Sequence, residues 1–287
     1  MGGPSSERDV SLRSGAAVLR GLRAAGYDAA GVDVTTRAVN LPAGVEAVFI
    51  ALHGEFGEDG QVQEILDREA VPYTGSGVRA SREAMDKLTT KRCLAERAIP
   101  TAPYEILSNG APSSLPFPVV VKPLRQGSSL GVSRVFESGQ WPVALAEARR
   151  YGRDVMVERF LDGLELTVGI VDGRALPVIQ INAPEGDYSY GAKYTRGASQ
   201  YLVPAPLPAD MAEACRAAAL QSFDALGCRG FGRVDLRSDA AGNIYVLEVN
   251  TIPGFTETSL LPKAADKAGM SFPALCDRIM SLARCGA

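Results

Sequence analysis

Near the C-terminal end, two short stretches set acid, amide and guanidinium side chains at matching intervals. Arg233-Val234-Asp235-Leu236 and Ile244-Tyr245-Val246-Leu247-Glu248-Val249-Asn250 flank the turn Asp239-Ala240-Ala241-Gly242-Asn243, so the segment reads as a β-hairpin. Symmetric pairing about Ala241-Gly242 sets Asp235 opposite Glu248 and Arg233 opposite Asn250. Carboxylates directly opposed on a ladder, with Cβ atoms about 5 Å apart, repel. A raised carboxyl pKa relieves that repulsion, and so does a divalent cation held between them. Asn250 adds an oxygen on the Glu248 face, which makes Asp235, Glu248 and Asn250 the candidate metal ligands. Carboxylates and an amide oxygen, completed by phosphate and water, suit Mg²⁺. The plain alternative is a solvated polar face. Against it, Glu248 and Asn250 end a strand otherwise apolar on both faces.

A second group of residues suits an anion. The loop Leu124-Arg125-Gln126-Gly127-Ser128-Ser129-Leu130-Gly131 follows the apolar strand that ends in Lys122-Pro123. Small residues and successive backbone N–H groups make a concavity for phosphate. It is not a Walker loop, because G-K-[ST] is absent and a strand follows where a helix would be required. Lys122 ends an apolar strand, where a buried ammonium requires an anionic partner. Lys87, on the preceding helix, is a candidate second cation, whereas Lys263 falls in a segment read as exposed. Val155-Met156-Val157-Glu158-Arg159-Phe160-Leu161, read as a strand with a free edge, suits a purine ring, and Glu165 suits ribose hydroxyls.

These groups need elements to position them. Residues 11–25 carry Leu12, Ala16, Leu19 and Leu22 on one helical face, with Gly26 as the stop. Residues 45–52 form a nearly continuous apolar run, expected to be a strand buried on both faces. A helix over 61–70 follows, so the chain to about Gly77 reads as a parallel α/β unit. A helix over 81–98, a hairpin around the Gly/Ser loop, strands at 164–171 and 175–181, a helix over 209–226 and the carboxylate hairpin make the rest α+β. The polar, tyrosine-rich stretch 185–201 is the candidate lid. With 287 residues, two or three packed units are expected. The 33 acidic against 30 basic residues argue against a nucleic-acid surface. No apolar run reaches the ~18 residues of a membrane span, and the first residues lack a signal peptide's apolar stretch. The odd number of cysteines, 5, with no C-x-x-C, fits reduced thiols in the cytoplasm. A single histidine, His53, rules out a multi-histidine metal centre.

The motifs Leu52-His53-Gly54, Gly57-Glu58-Asp59-Gly60, Pro72-Tyr73-Thr74-Gly75-Ser76, Met85-Asp86-Lys87, Val121-Lys122-Pro123, Gly127-Ser128-Ser129-Leu130-Gly131, Ala192-Lys193-Tyr194, Gly232-Arg233-Val234-Asp235 and Glu248-Val249-Asn250-Thr251-Ile252-Pro253-Gly254 occur in that order. Together the chain resembles the D-alanine–D-alanine ligases, ATP-grasp enzymes of bacterial cell-wall (peptidoglycan) synthesis. The resemblance implies a three-domain ATP-grasp fold, α/β and α+β, with boundaries near 1–78, 79–160 and 161–287. It implies ATP as co-substrate, two Mg²⁺ ions (or Mn²⁺) on Asp235, Glu248 and Asn250, a cytoplasmic location and a homodimer. The expected partners are D-alanine and ATP, with no nucleic acid and no membrane. Lys87, Lys122 and Ser129 would meet the ATP phosphates, Glu158 and the backbone near Leu161 the adenine, and Glu165 the ribose. Glu7 would receive the ammonium of the first D-alanine, with Ser128 and Tyr194 hydrogen-bonded to it. Arg233 and the backbone at Gly254 would stabilise an oxyanion, and Lys193 would reach the transferred phosphate. Ser259 and Leu260 would take the carboxylate of the second D-alanine, and His53 would lie near the substrate or serve the structure alone.

Two departures stand out. The family usually has an apolar strand before its Gly-Gly motif, whereas this chain opens on Met1-Gly2-Gly3, so the expectation is either a true start upstream or a first domain that lacks its first strand. Gly191 also stands where relatives carry a charged residue. The rival readings are a related ligase using D-lactate or D-serine as second substrate, and an ATP-binding protein with impaired turnover.

Overall fold

The computed structural model describes residues 1–108, 113–182 and 200–286. The candidate lid, with Lys193, Tyr194 and Gly191, lies outside the described residues. The chain opens with helix α1 (Arg8–Ala24), begun by Glu7, and continues to α2 (Gln61–Arg68). Between them the expected strand at 45–52 is reduced to one parallel bridge, Val48 with Tyr73. Its ladder stops because the Thr74 hydroxyl, not a backbone carbonyl, accepts from Ile50 N at 3.1 Å. The first residues hold a parallel fragment of their own. Met1 N donates to Val32 O at 3.0 Å, Val34 N to Met1 O at 2.9 Å and Gly3 N to Val34 O at 2.6 Å. Glu7 is therefore approached from a lead that is itself paired.

The helix expected over 81–98 is two helices, α3 (Val78–Met85) and α4 (Lys87–Glu96). Asp86 breaks them apart, and its carboxylate caps α4 by accepting from Leu88 N at 3.0 Å and Thr89 N at 3.1 Å. Burial works to raise the Asp86 carboxyl, but Arg125 and these amides hold it below its ordinary value. Four antiparallel strands follow in the order β1 (Tyr104–Leu107), β4 (Val155–Arg159), β2 (Val119–Pro123), β3 (Ser133–Val135). The strand at 155–159, expected to have a free edge, is thus enclosed on both sides. Its Val155 and Val157 serve the core against α5 (Trp141–Arg149).

A larger sheet takes the order β10 (Ile244–Asn250), β9 (Phe231–Ser238), β5 (Glu165–Val171), β7 (Ile179–Asn182), β8 (Gln200–Leu202). The short β6 (Arg174–Ala175) pairs with β5, so the run expected over 175–181 is split at Leu176-Pro177-Val178. Helix α6 (Ala209–Ala225) covers one face with Cys215, Ala219 and Phe223 on Leu166, Val234 and Val246. The other face meets α7 (Leu260–Lys267) and α8 (Phe272–Met280), and Val18 and Leu22 of α1 join that second core. No described helix is long and apolar enough to cross a membrane.

Candidate active site

The carboxylate hairpin is formed by β9 and β10, with Glu248 paired to Asp235 and Asn250 to Arg233. The register is not the symmetric one throughout. Ile244 pairs with Ser238 and Val246 with Leu236, and a β-bulge between Val246 and Glu248 then advances the count by one. The burial pattern has the same cause. Val246 and Val249 are buried three residues apart, so Leu247 and Glu248 both face away from the core and border the cleft. Repulsion between the opposed carboxylates is met here by Arg233. Its Nε and Nη2 each donate to Asp235 at 2.8 Å, and the Thr167 hydroxyl donates to Asp235 Oδ1 at 2.6 Å. Asn250 Oδ1 accepts from Ile252 N at 3.0 Å. Asp235, Glu248 and Asn250 are an all-oxygen donor set on one face, which fits a hard cation. Among the described residues no group of three or more His, Cys, Asp or Glu side chains forms a metal cage. A cation held here must complete its shell with ligand oxygens, as Mg²⁺ does with phosphate and water.

Facing the hairpin, the small sheet and α4 bring up lysines. Lys122 ends β2 with its ammonium on Glu158 Oε2, and Lys91 of α4 meets Glu158 Oε1. Glu158 is only 3 % exposed. Burial pushes its carboxyl up, yet Lys122 and Lys91 overcome this and hold it at about 2. The Glu158 side chain is thus held by two lysines, and it still borders the cleft. Lys87, at the first position of α4, donates to Gln126 O at 2.5 Å and so touches the Gly/Ser loop. That loop is strained: Ser128 and Ser129 adopt φ of 51° and 59° without being glycine. Glu165 accepts from Arg237 at 3.2 Å.

A deeper space lies beside α1. The Ser128 hydroxyl donates to Glu7 Oε1, joining the Gly/Ser loop to the start of the first helix. Close approach of this carboxylate explains Gly54, where an added Cβ would stand 2.6 Å from Glu7 Oε2. His53 is buried, with Nδ1 2.9 Å from Ile252 O and Nε2 2.8 Å from Ser14 Oγ. Ile252 O can only accept, so Nδ1–H donates to it; in the neutral ring Nε2 then accepts from the Ser14 hydroxyl, whose oxygen also accepts from Phe255 N at 3.1 Å. Ser259 begins α7, but its hydroxyl takes Thr256 N at 2.9 Å and does not cap the helix. The N-terminus of α7 at Leu260 thus borders the cleft without a side-chain cap, a place that favours a carboxylate.

These groups meet in two adjoining spaces. One, of about 880 Å³, is bordered by Glu7, His53, Ser128, Arg233, Asn250, Gly254, Ser259 and Leu260. The other, of about 180 Å³, is bordered by Lys122, Ser129, Glu158, Leu161, Glu165 and Asp235. Lys87, Gln126, Leu247 and Glu248 border both, so the spaces form one continuous cleft with Glu248 at the junction. Every described residue singled out from the sequence lies on it. Residues not singled out also do, including Arg13, Ser14 and Glu58. Lys263, expected on the surface, is half-buried on α7, with its ammonium 4.6 Å from the Tyr201 ring centre. Lys91 is the largest omission, and its signal was present: it follows Lys87 by four residues, on the same helical face.

Two antiparallel sheets closing on a cleft, lysines from one and a carboxylate hairpin from the other, define an ATP-grasp protein. The family described as "D-ala D-ala ligase C-terminus" matches residues 94–281, and "D-ala D-ala ligase N-terminus" matches residues 30–76. The chain belongs to the D-alanine–D-alanine ligase family. It is 45% identical over 283 residues to the D-alanine–D-alanine ligase of Methylacidiphilum infernorum, covering 98% of this chain and 93% of that one. It is 47% identical over 286 residues to that of Syntrophotalea carbinolica, with coverage of 98% and 93%. The crystal structure of D-alanine–D-alanine ligase from Bacillus anthracis complexed with ATP superposes with a TM-score of 0.84 at 31% identity, covering 98% of this chain and 94% of that one.

Proposed function

We propose that the protein joins two D-alanines into D-alanyl-D-alanine for peptidoglycan synthesis, converting ATP to ADP and phosphate. The observation that carries this reading is the continuity of the cleft. Glu248 stands where a lysine-bordered nucleotide half opens into a half bearing Glu7, Arg233 and an uncapped helix start.

A carboxylate is a poor electrophile, so the γ-phosphoryl group passes first to the carboxylate of one D-alanine, making an acyl phosphate, and ADP is formed. Lys122 and Lys87 hold the phosphates, with Ser129 beside them, while Glu7, fixed by Ser128, holds the ammonium of that D-alanine. Glu158 and the backbone near Leu161 border the base, and Glu165, anchored by Arg237, the ribose. Phosphoryl transfer depends on positioning and charge neutralisation, which lysines supply without a nucleophilic side chain. Asp235, Glu248 and Asn250 would hold Mg²⁺ or Mn²⁺, which when bound would neutralise phosphate charge. The second D-alanine places its carboxylate at Ser259 and Leu260, and its amine attacks the acyl carbonyl. Arg233, set in direction by Asp235, and a backbone N–H near Gly254 stabilise the oxyanion before phosphate leaves. Lys193 and Tyr194, on the 185–201 stretch, complete this assignment from outside the described residues, and exclusion of water there protects the acyl phosphate. A cytoplasmic location and a homodimer complete the reading.

The test is ADP release with and without D-alanine, with chromatography of the product. D-Alanine-dependent ADP release with dipeptide formation is the expected outcome. ATP binding without release would establish a non-catalytic protein, and preference for D-lactate or D-serine a ligase of different second substrate.

A further inference from the structure

Lys91 is a buried ammonium, 1 % exposed, that lies outside both sets of substrate-facing groups. It meets Glu158 Oε1, donates to Thr101 Oγ1 at 2.6 Å and lies 3.4 Å from Ala102 O. With the Tyr104 ring centre 5.5 Å away, its ammonium is enclosed by protein groups, and Lys91 borders neither space of the cleft. Whatever it does for the reaction it does through its neighbours.

Its neighbours lead to the cleft in two directions. Through Glu158 it reaches Lys122, which takes the other carboxylate oxygen and borders the nucleotide space. Through Thr101 it reaches the hairpin. Thr101 Oγ1 donates to Val246 O at 2.7 Å, and Val246 N donates to Pro100 O at 2.9 Å. Val246 is the last residue before the bulge that turns Glu248 into the cleft.

The charges decide what this arrangement does. A carboxylate paired with Lys122 alone would cancel its charge and leave a neutral pair where an anion has to bind. Burial lowers the Lys91 pKa, and Glu158 works against that. With Lys91 protonated, two ammoniums share one carboxylate and the group keeps one net positive charge, while Lys122 is still held in direction. We propose that Lys91 is a positioning residue of the nucleotide half: it balances Glu158 so that Lys122 is aimed by that carboxylate without being neutralised by it, and through Thr101 it anchors the strand that carries Glu248. This rests on the reading that nucleotide phosphates bind beside Lys122.

The experiment is calorimetric binding of a non-hydrolysable ATP analogue to wild-type protein, Lys91→Met, Lys91→Met/Glu158→Gln and Thr101→Val, with KM for both substrates measured alongside. Loss of one unit charge within several ångströms of the phosphates should weaken analogue binding about tenfold in Lys91→Met, with the D-alanine KM within about twofold. The double variant restores the net charge but gives up the carboxylate that aims Lys122, so it should lose only the aiming and bind within about threefold of wild type. Thr101→Val keeps every charge and should lose less than Lys91→Met. Wild-type-like binding by Lys91→Met, or equal losses in Thr101→Val and Lys91→Met, overturns the proposal. So does a tenfold loss in the double variant, which remains readable even where the single variant does not fold. Failure of the wild-type protein to bind the analogue would instead sink the nucleotide reading itself.

Discussion

Glu158 carries an ammonium on each oxygen at a depth that water does not reach, and this makes stability depend on its ionisation. Its carboxyl is held at about 2 against an ordinary 4.5. A carboxyl depressed by folding stabilises the native state above the unfolded-state value and loses that contribution as pH falls through the folded value. The window is therefore pH 4.5 down to 2, and the contribution above it is about 3 kcal/mol. Glu158→Gln should lower the urea midpoint at pH 7, and its gap to wild type should narrow at pH 3; a gap of equal size at both pH values would contradict the ion group. Glu248 is expected to be the opposite case, its removal costing function and not stability. It faces Asp235 across the ladder, so Glu248→Gln relieves repulsion and should leave the melting temperature equal or slightly higher. The same change should cut ADP release by about 100-fold or more, the scale seen when a charge-stabilising group is lost. Near-wild-type turnover at limiting Mg²⁺ would remove Glu248 from the site.

At the scale of elements, the residue types announced the hairpin, but not its bulge. Opposed Asp235 and Glu248 follow from symmetric pairing about Ala241-Gly242, and the structure pairs them by another route, with the register one residue short at the turn and restored by the extra Leu247. Apolar Leu247 beside apolar Val246 gave no sign of which faces the core; only packing on α6 decides that. The break at Asp86 was readable in principle, because Asp followed by a helix is a capping pattern, yet the apolar spacing ran across it. The contact between α1 and α8 has no local signature, since it joins residues far apart in sequence. It does leave a testable mark at Gly21. Alanine in a helix interior normally gains up to about 1 kcal/mol over glycine. Here the added Cβ would stand 2.7 Å from Cys276 Sγ and 3.0 Å from Phe272 Cε1. Overpacking of that kind costs about 1–3 kcal/mol, so the clash outweighs the propensity and Gly21→Ala should melt lower than wild type. Cys276→Ala in the same protein should recover part of the loss, and a melting temperature raised by Gly21→Ala alone would show that the helices separate freely.

Across the whole molecule the cleft is built by distant parts of the chain, which is why motifs foretold its residues better than its supports. Glu7 is signalled only by the family resemblance, whereas Lys122 and Glu248 announce themselves by charge at the ends of apolar strands. Ser14 does not, because a serine at one position of an amphipathic helix is unremarked until the fold puts partners around it. It is fully buried where α1, the His53 turn and the segment after β10 meet. Ser14→Ala would leave His53 Nε2 and the Phe255 N–H without their partner, at a cost of about 1–3 kcal/mol. The consequence for function should be one-sided. Glu7 stands at the start of α1, about two turns before Ser14 on the same face, and Gly254 precedes Phe255, so both border the larger space and both depend on this junction. The smaller space takes its lining from residues 87–248, with none from α1. A shift of about 1 Å in a positioned group can cost about 100-fold in rate, so even partial relaxation at the junction should be measurable. Ser14→Ala is expected to raise the D-alanine KM several-fold and lower the melting temperature, while affinity for a non-hydrolysable ATP analogue stays within about twofold of wild type. Titration of both ligands on the purified variant decides it: losses of equal proportion for D-alanine and for the analogue would mean that the two halves of the cleft are not held by separate supports.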